Sequence, residues 1–157
     1  MVPAEAAPKV LSKQRSRWPF FVCLGLLASV AACGLVFEVP QRRNDERLAG
    51  LRERVSRLSL PPETKHDLRA EASMVGLLVA NSNHCDYLVH LALVTKLPDA
   101  EIARYYESVT VEGIEGGKLS GTVYVNPSGS LRGNGFKEVI VEFFDGGHAP
   151  GFDWRCH

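Results

Sequence analysis

Apolar residues form one long unbroken run near the start of the chain and shorter, periodic groups after it. The run covers residues 18–39 (WPFFVCLGLLASVAACGLVFEV), and Glu38 carries its only side-chain carboxyl or amine group. A helix of this length, rising about 1.5 Å per residue, crosses a hydrocarbon core of about 30 Å. A helix also pairs its own backbone polar groups, as lipid requires. The pattern therefore predicts a membrane-spanning helix over Trp18–Val39, preceded by a tail of residues 1–17.

Two other interpretations of the run remain open. A helix in a soluble core usually has a polar face, and here the polar atoms are limited to Ser29 and two cysteines. A cleaved signal peptide also has basic, apolar and small residues in this order. Residues 30–33 (VAAC) resemble a bacterial lipobox, in which Cys33 would be lipidated. Because the apolar run continues to Val39, past the about 7–15 apolar residues of a signal peptide, a membrane span is favoured.

Basic residues flank the run on both sides, so the positive-inside rule does not choose an orientation. They are Lys9, Lys13, Arg15 and Arg17 before it, and Arg42, Arg43, Arg47, Arg52 and Arg54 after it. They favour anionic lipid headgroups, although ordinary flanking charge explains them equally well. A plausible disulfide in the C-terminal domain places that domain outside the cytoplasm. The expected location is a bacterial inner membrane, crossed once, with the C-terminal domain in the periplasm.

Residues 40–60 predict an amphipathic helical stem. Its apolar residues recur at spacings of three, four and three: Leu48, Leu51, Val55 and Leu58. This is an a/d seam with charged residues on the other faces. The seam is too short to hold a coiled coil by itself. It is therefore expected to pack on its own domain or on neighbouring subunits, and Pro61-Pro62 ends or kinks the stem.

Residues 61–157 predict one α+β domain that begins with helices. Apolar residues on one side indicate a helix over Glu63–Ala80: Leu68, Ala72, Val75, Leu78 and Val79. Asp86 is predicted to cap a further apolar segment, Tyr87–Leu97. Pro98-Asp99 opens a short helical turn that carries Ile102 and Tyr105.

Alternating and β-branched segments predict about four short strands in the second half of the domain. They are Glu107–Glu112, Thr122–Val125, Phe136–Phe144 and Phe152–Cys156. Turn residues separate them at 113–117, 126–129, 133–135 and 145–147. The predicted fold class is α+β: a long membrane-spanning helix continues into a stem, and a small helical layer packs on a roughly four-stranded antiparallel sheet.

Charge and cysteine content narrow the possible functions. With 18 basic and 18 acidic residues, the chain has no net charge, and nothing in its composition suggests a general nucleic-acid surface. Three aromatics near basic residues, Phe144, Phe152 and Trp154, could stack on single-stranded DNA, but core packing is the favoured explanation. Cys23 and Cys33 are expected to act as small apolar residues in the span.

The cysteine pair of the C-terminal domain, Cys85 and Cys156, suggests a disulfide if that domain is exported, and two free thiols are the alternative. Cys and His residues could instead bind zinc: His84, Cys85, His90, His148, Cys156 and His157. Their spacing lacks the usual zinc-ligand patterns, so no metal site is predicted. The glycine-rich segments lack the strand-to-helix context of a phosphate loop. No catalytic constellation and no cofactor is predicted.

Three segments in the C-terminal half resemble type IV pilins and pilin-like proteins. They are residues 105–111 (YYESVTV), residues 131–133 (LRG) before the strand at 137–143, and residues 151–156 (GFDWRC). The resemblance implies a sheet packed on the C-terminal half of the long helix, with the last cysteine in a disulfide. The N-terminus differs from the family, since residues 17–20 (RWPF) lack the leader glycine and no Glu lies between Trp18 and Phe37. This favours a subunit that stays fixed in the membrane.

Two functions are therefore expected, neither of them enzymatic. The first is a pilin-like, single-pass structural subunit or accessory protein of a type IV pilus or type II secretion-like system. It would contact the bilayer, like subunits and other envelope components. The second is a bitopic envelope module, or one lipid-anchored at Cys33, that binds another membrane complex through the Leu48–Leu58 seam.

Overall fold

The computed structural model describes residues 18–67, 69–79, 83–125 and 135–157. They form one long helix, a short helix and seven strands, in the order α1 (Trp18–Ser56), β1 (Thr64–His66), β2 (Ala72–Gly76), β3 (Cys85–Thr95), α2 (Asp99–Ser108), β4 (Thr110–Glu112), β5 (Lys118–Ser120), β6 (Thr122–Val125) and β7 (Lys137–His148). A single 3₁₀ turn, Trp154–Cys156, follows. The chain divides into two compact units between Leu35 and Val36.

The first unit contributes an exposed apolar helix. Its large side chains lie in the open, with Phe20, Leu27 and Val30 each at least 65% exposed. The second unit contains the rest of α1, which includes Pro40 and ends at Ser56. The helix ends four residues before the predicted end of the stem, and residues 59–61 have no regular structure.

The main sheet has five strands, all antiparallel, in the order β1–β3–β7–β6, and β2 also pairs with β3. β1 pairs with Leu93–Thr95 and β2 with Asp86–His90, so the two short strands share one edge of β3. β4 and β5 form a separate hairpin. Its turn, Gly113–Gly117, is confirmed, because the Gly113 N–H donates to the Gly117 carbonyl at 2.7 Å.

The core of the second unit lies between α1, α2 and one face of the main sheet. β3 and β7 are long and rich in β-branched and aromatic residues, which suit a half-buried sheet. The buried apolar residues include Leu51, Val55, Tyr87, Val89, Leu91, Leu93, Ile102, Tyr106, Val139, Val141 and Phe143. Arg54 of α1 binds the hairpin as well, donating to the Glu112 carbonyl at 2.7 Å. Residues of the stem and of α2 thus pack on one sheet, as an α+β fold requires.

The helix predicted over Glu63–Ala80 is wrong. β1 and β2 lie in this segment, and Leu68 and Ala80 fall outside the described residues. Tyr87–Leu97 is likewise mostly strand β3, and Asp86 lies in that strand instead of capping a helix. The apolar spacing fits a helix, but antiparallel pairing with β3 satisfies the same backbone groups, and tertiary context overrides local propensity.

The predicted strands are correct for Thr122–Val125 and for the centre of β7, and the helix beginning after Pro98 is confirmed. Glu107–Glu112 is only half strand, since α2 continues to Ser108. The last predicted strand, Phe152–Cys156, is a loop and a 3₁₀ turn. The turn predicted at 145–147 is a β-bulge, where Gly146 and Gly147 of β7 stand opposite Asp86 of β3. Gly147 has φ +81°, which glycine adopts without strain. The turns predicted at 126–129 and 133–134 lie outside the described residues.

Candidate functional site

One helix of the described residues is long and apolar enough to cross a membrane. It is α1, in which an 18-residue window has a mean hydropathy of 2.5 and no buried share. A soluble core helix would be mostly buried, so that interpretation does not fit. Cys23 and Cys33 lie in this exposed part with free thiols, so a lipid-modified Cys33 remains open.

The seam residues of the stem divide into two pairs. Leu51 and Val55 are fully buried, at 0% and 1% exposure, in the core of their own domain. Leu48 and Leu58 are only partly buried at the margin of that core. Beside Leu48 and Ala49 lies an open surface cavity of about 520 Å³, bordered by Arg52 and by Ser73 of β2. All four seam residues therefore pack on the core, two of them fully buried, and the surface beside Leu48 stays open.

Asn44 joins α1 to the sheet and to the C-terminal turn. Its amide nitrogen donates to the Asp153 carboxylate at 2.9 Å and to the Cys85 sulfur at 3.3 Å, and its amide oxygen accepts from the Tyr87 hydroxyl at 2.9 Å. All four residues are buried. An amide donates through its nitrogen and accepts through its oxygen, so this one side chain binds all three partners. Asn44 therefore fixes the distance between stem and sheet.

Cys85 and Cys156 form the predicted disulfide, with a Cα–Cα distance of 4.8 Å. It joins the first residue of β3 to the C-terminal turn, and both cysteines are fully buried. Together with Asp153 they form a cluster whose possible ligand atoms lie within 4.8 Å of one another. Because both sulfurs are used in the disulfide, the cluster offers no thiolate to a metal. Three of the histidines considered for zinc pair with acids, His84 with Asp86, His90 with Glu142 and His148 with Asp145.

Asp153 and Arg155 form the charged part of this junction. Burial alone would raise the pKa of the Asp153 carboxyl, but hydrogen bonds from Arg155 and Asn44 outweigh burial and hold that pKa below its ordinary value. The Asp153 carboxylate in turn raises the pKa of the Arg155 guanidinium, and Asp45 adds to the effect. Arg155 bonds Asp45 at 2.8 Å and the Gln41 carbonyl at 3.3 Å. The pair therefore holds the C-terminal turn on the first turns of the stem.

Asp86 organises the adjoining loops. Its buried carboxylate accepts from the N–H groups of Leu78 and Val79 at 3.0 Å and from that of Gly147 at 3.1 Å. Burial would raise the pKa of Asp86, but these backbone hydrogen bonds lower it overall. A Cβ at Gly146 would lie 2.7 Å from this carboxylate, so the bulge needs glycine there. Sequence reasoning took Asp86 for a helix cap and missed this role.

The three aromatics expected in the core are all exposed, to different degrees. Phe152 is 65% exposed and Trp154 is 69% exposed, while Phe144 is 37% exposed on the outer sheet face. Core packing is thus wrong for all three. Arg132, the basic neighbour expected for DNA stacking, lies outside the described residues.

Comparisons with known proteins give no relative for this chain. No family model matches it, and no curated protein and no solved structure is significantly similar. Its function therefore has to be inferred from its own residues.

Proposed function

We propose that the chain is a bitopic membrane protein of pilin-like layout, acting as a structural subunit or accessory protein of a type IV pilus or type II secretion-like assembly. The supporting observation is the contrast within α1. Its first half is apolar and exposed, whereas Leu51 and Val55 of its second half are buried against an antiparallel sheet. Exposing an apolar side chain such as Leu27 to water is unfavourable, whereas exposing it to lipid is not. The kind of assembly rests on the sequence resemblance of residues 105–111 and 151–156 to pilins, although residues 105–108 are helical and residues 151–156 form a loop and a 3₁₀ turn where strands were predicted.

The proposed location is a bacterial inner membrane with the C-terminal domain in the periplasm. The Cys85–Cys156 disulfide supports this side, because disulfides persist in the periplasm and are rare in the cytosol. The domain then acts at a surface, and its partners are the bilayer, like subunits and other envelope components.

Fractionation of cells that express the tagged full chain tests the proposal. We expect the chain in the membrane pellet, resistant to alkaline carbonate and released by detergent. The variant L26R/L27R places two charges in the span and is expected to lower the membrane-bound fraction severalfold, whereas L26V/L27V keeps it. A wild-type chain that stays in the supernatant after ultracentrifugation without detergent would overturn the proposal.

Shearing of the same cells separates filament subunits from accessory proteins. A filament subunit is expected to co-purify with sheared filaments, and an accessory protein to remain in the membrane and crosslink to them. If detergent extracts contain neither like subunits nor envelope partners after crosslinking, the assembly role is wrong even though the chain is membrane-bound.

The second candidate, an envelope module that binds another complex through its stem, is favoured by the open cavity at Leu48 and Ala49. Changing Leu51 or Val55 would damage the core, so the test uses the cavity residues instead. L48D/A49D is expected to abolish crosslinking to the partner complex while the disulfide still forms. Glu46→Ala, exposed and outside the cavity lining, is the matched control.

A further inference from the structure

Exposed apolar residues of the C-terminal domain are concentrated in two loops. Among the described residues beyond 60, eight large apolar side chains are exposed. Half of them, Leu78, Val79, Phe152 and Trp154, lie in the loop after β2 and in the C-terminal segment. We call these four residues the apolar rim.

Hydrogen bonds join the two loops into one surface. The Leu77 N–H donates to the Arg155 carbonyl at 2.7 Å, and a Cβ at Gly76 would lie 3.1 Å from the same oxygen. Asp86 binds the backbone on both sides, through Leu78 and Val79 in one loop and through Gly147 in the strand that leads to the other. The rim is therefore held by a buried carboxylate and by backbone contacts.

The rim borders the residue at which the apolar run of α1 ends. A Cβ at Gly151, where φ is +59°, would lie 3.9 Å from the Cβ of Pro40. Phe152 lines a surface cavity of about 300 Å³ together with Val39, Pro40 and Arg43. Since consecutive Cα atoms are about 3.8 Å apart, Phe152 cannot lie far from the last residue of the span.

We infer that the apolar rim is a second contact with the same bilayer, formed by Phe152 and Trp154 in the headgroup region with Leu78 and Val79 beside them. This inference rests on the proposed membrane span. If Val39 is the last residue in the hydrocarbon core, then Pro40 and the groups packed on it lie at headgroup depth. Trp is enriched at this depth because its ring is apolar and its indole N–H stays wet. The exposed Arg43 in the cavity lining suits an anionic headgroup.

Lipid explains this surface better than a second copy of the chain does. In the proposed span the hydrocarbon core extends to Val39, which lines the same cavity as Phe152. The bilayer therefore already lies next to the rim. Arg43 and Arg47 both line the cavity, and two copies meeting there would bring like charges together. A lipid surface with anionic headgroups would pair with them.

Fluorescence of Trp154 in vesicles tests the inference. The full chain with Trp18→Phe has Trp154 as its only tryptophan. It is reconstituted in phosphatidylcholine and phosphatidylglycerol vesicles that carry brominated acyl chains. We expect blue-shifted emission, with stronger quenching by bromines close to the headgroup than by bromines deep in the chains. Arg43→Gln is expected to weaken the increase in quenching that phosphatidylglycerol causes.

The matched control moves the probe to the outer face of the sheet. In W18F/W154F/Y124W the only tryptophan replaces Tyr124, which is 52% exposed on β6. We expect its emission to be red-shifted and unquenched. Formation of the Cys85–Cys156 disulfide, read by gel shift, shows that both variants are folded.

The outcomes separate this inference from the proposed function. If the protein does not float with the vesicles, both are overturned. If it floats and Trp154 is not quenched, only the lipid contact is overturned, and a blue shift without quenching assigns the rim to a protein partner. Equal quenching at positions 124 and 154 also overturns the inference, because the domain would then lie flat on the membrane.

Discussion

The hydroxyl group of Tyr87 donates to the amide oxygen of Asn44 at 2.9 Å, across 43 residues of chain, and both residues are buried. One end of this hydrogen bond is on α1 and the other on β3. The same amide also serves Asp153 and Cys85. The stem, the central strand and the C-terminal turn therefore meet at one side chain.

Asn44→Ala should destabilise the domain more than its size suggests. It removes one partner from the Tyr87 hydroxyl and one from an Asp153 oxygen to which Arg155 still donates, and each hydrogen bond lost costs about 0.5–1.5 kcal/mol net. Denaturant unfolding of the full chain in detergent measures the loss. Tyr87→Phe and the double variant complete a cycle, and strictly additive effects would show that the hydrogen bond contributes nothing.

The disulfide should contribute more than any single hydrogen bond. It links residues 71 apart, and closing a loop of that length is worth roughly 4 kcal/mol in the chain-entropy model. C85S/C156S is expected to lower the unfolding free energy by that order, and a reducing agent should do the same to the wild type. C23S/C33S is the control, since both of its cysteines are free. Equal stability of the two double variants would contradict this account.

Acid should weaken the fold through Asp153. Its pKa is lower in the folded chain than the ordinary value of 3.8. A carboxyl whose pKa falls on folding stabilises the fold above its unfolded pKa, and this stability is lost as the pH falls through the folded pKa. We therefore expect the unfolding free energy to decline as the pH drops below about 3.8.

A pair of variants isolates that carboxyl in a pH series of unfolding curves. Asp153→Asn should be less stable at pH 7 and should lose less stability on acidification. Glu101→Gln, on the exposed side of α2, should keep the wild-type acid dependence. The same acid dependence in both variants would show that Asp153 is not responsible and would favour Asp86, whose pKa is also lowered.

Gly121→Ala should strain the core. An added Cβ would lie 2.6 Å from Val141 Cγ1 and 3.0 Å from Phe143. Overpacking of this kind costs about 1–3 kcal/mol. Gly117→Ala is the matched control, because a Cβ there meets nothing within 4 Å. Thermal unfolding compares the two, and an unchanged midpoint for Gly121→Ala would mean that the sheet yields without cost.

Elements with a strong local pattern were predicted correctly from the sequence. The apolar run, the alternation of Val139, Val141 and Phe143, and the proline before α2 each predicted the right element. The cysteine pair predicted the disulfide once export was assumed. In these cases the local pattern and the final packing favour the same structure.

The strands within residues 63–80 could not be predicted from the local sequence, because they form by pairing with the distant strand β3. Val75 pairs with Tyr87 and Thr64 with Thr95, and no local period reports such pairings. Phe152 and Trp154 were misplaced for a related reason. A short alternating segment predicts a strand, but Pro150 and Gly151 beside it were a signal for a loop. The junction at Asn44 depends on contacts across the whole domain and had no local signal.

Two short strands, β1 and β2, cover one edge of β3, and this arrangement protects the sheet against fibre formation. A strand of 11 residues with an open edge would be a template on which another chain could add a strand. Here the two short strands β1 and β2 occupy that edge. Between them, the Asp67 N–H donates to the Ala92 carbonyl at 2.8 Å. The opposite edge of the sheet is β6, only four residues long. If the domain is held at a membrane, as proposed, it meets copies of itself often. The interrupted edge of β3 and the short edge strand β6 then limit the addition of further strands in a cross-β stack.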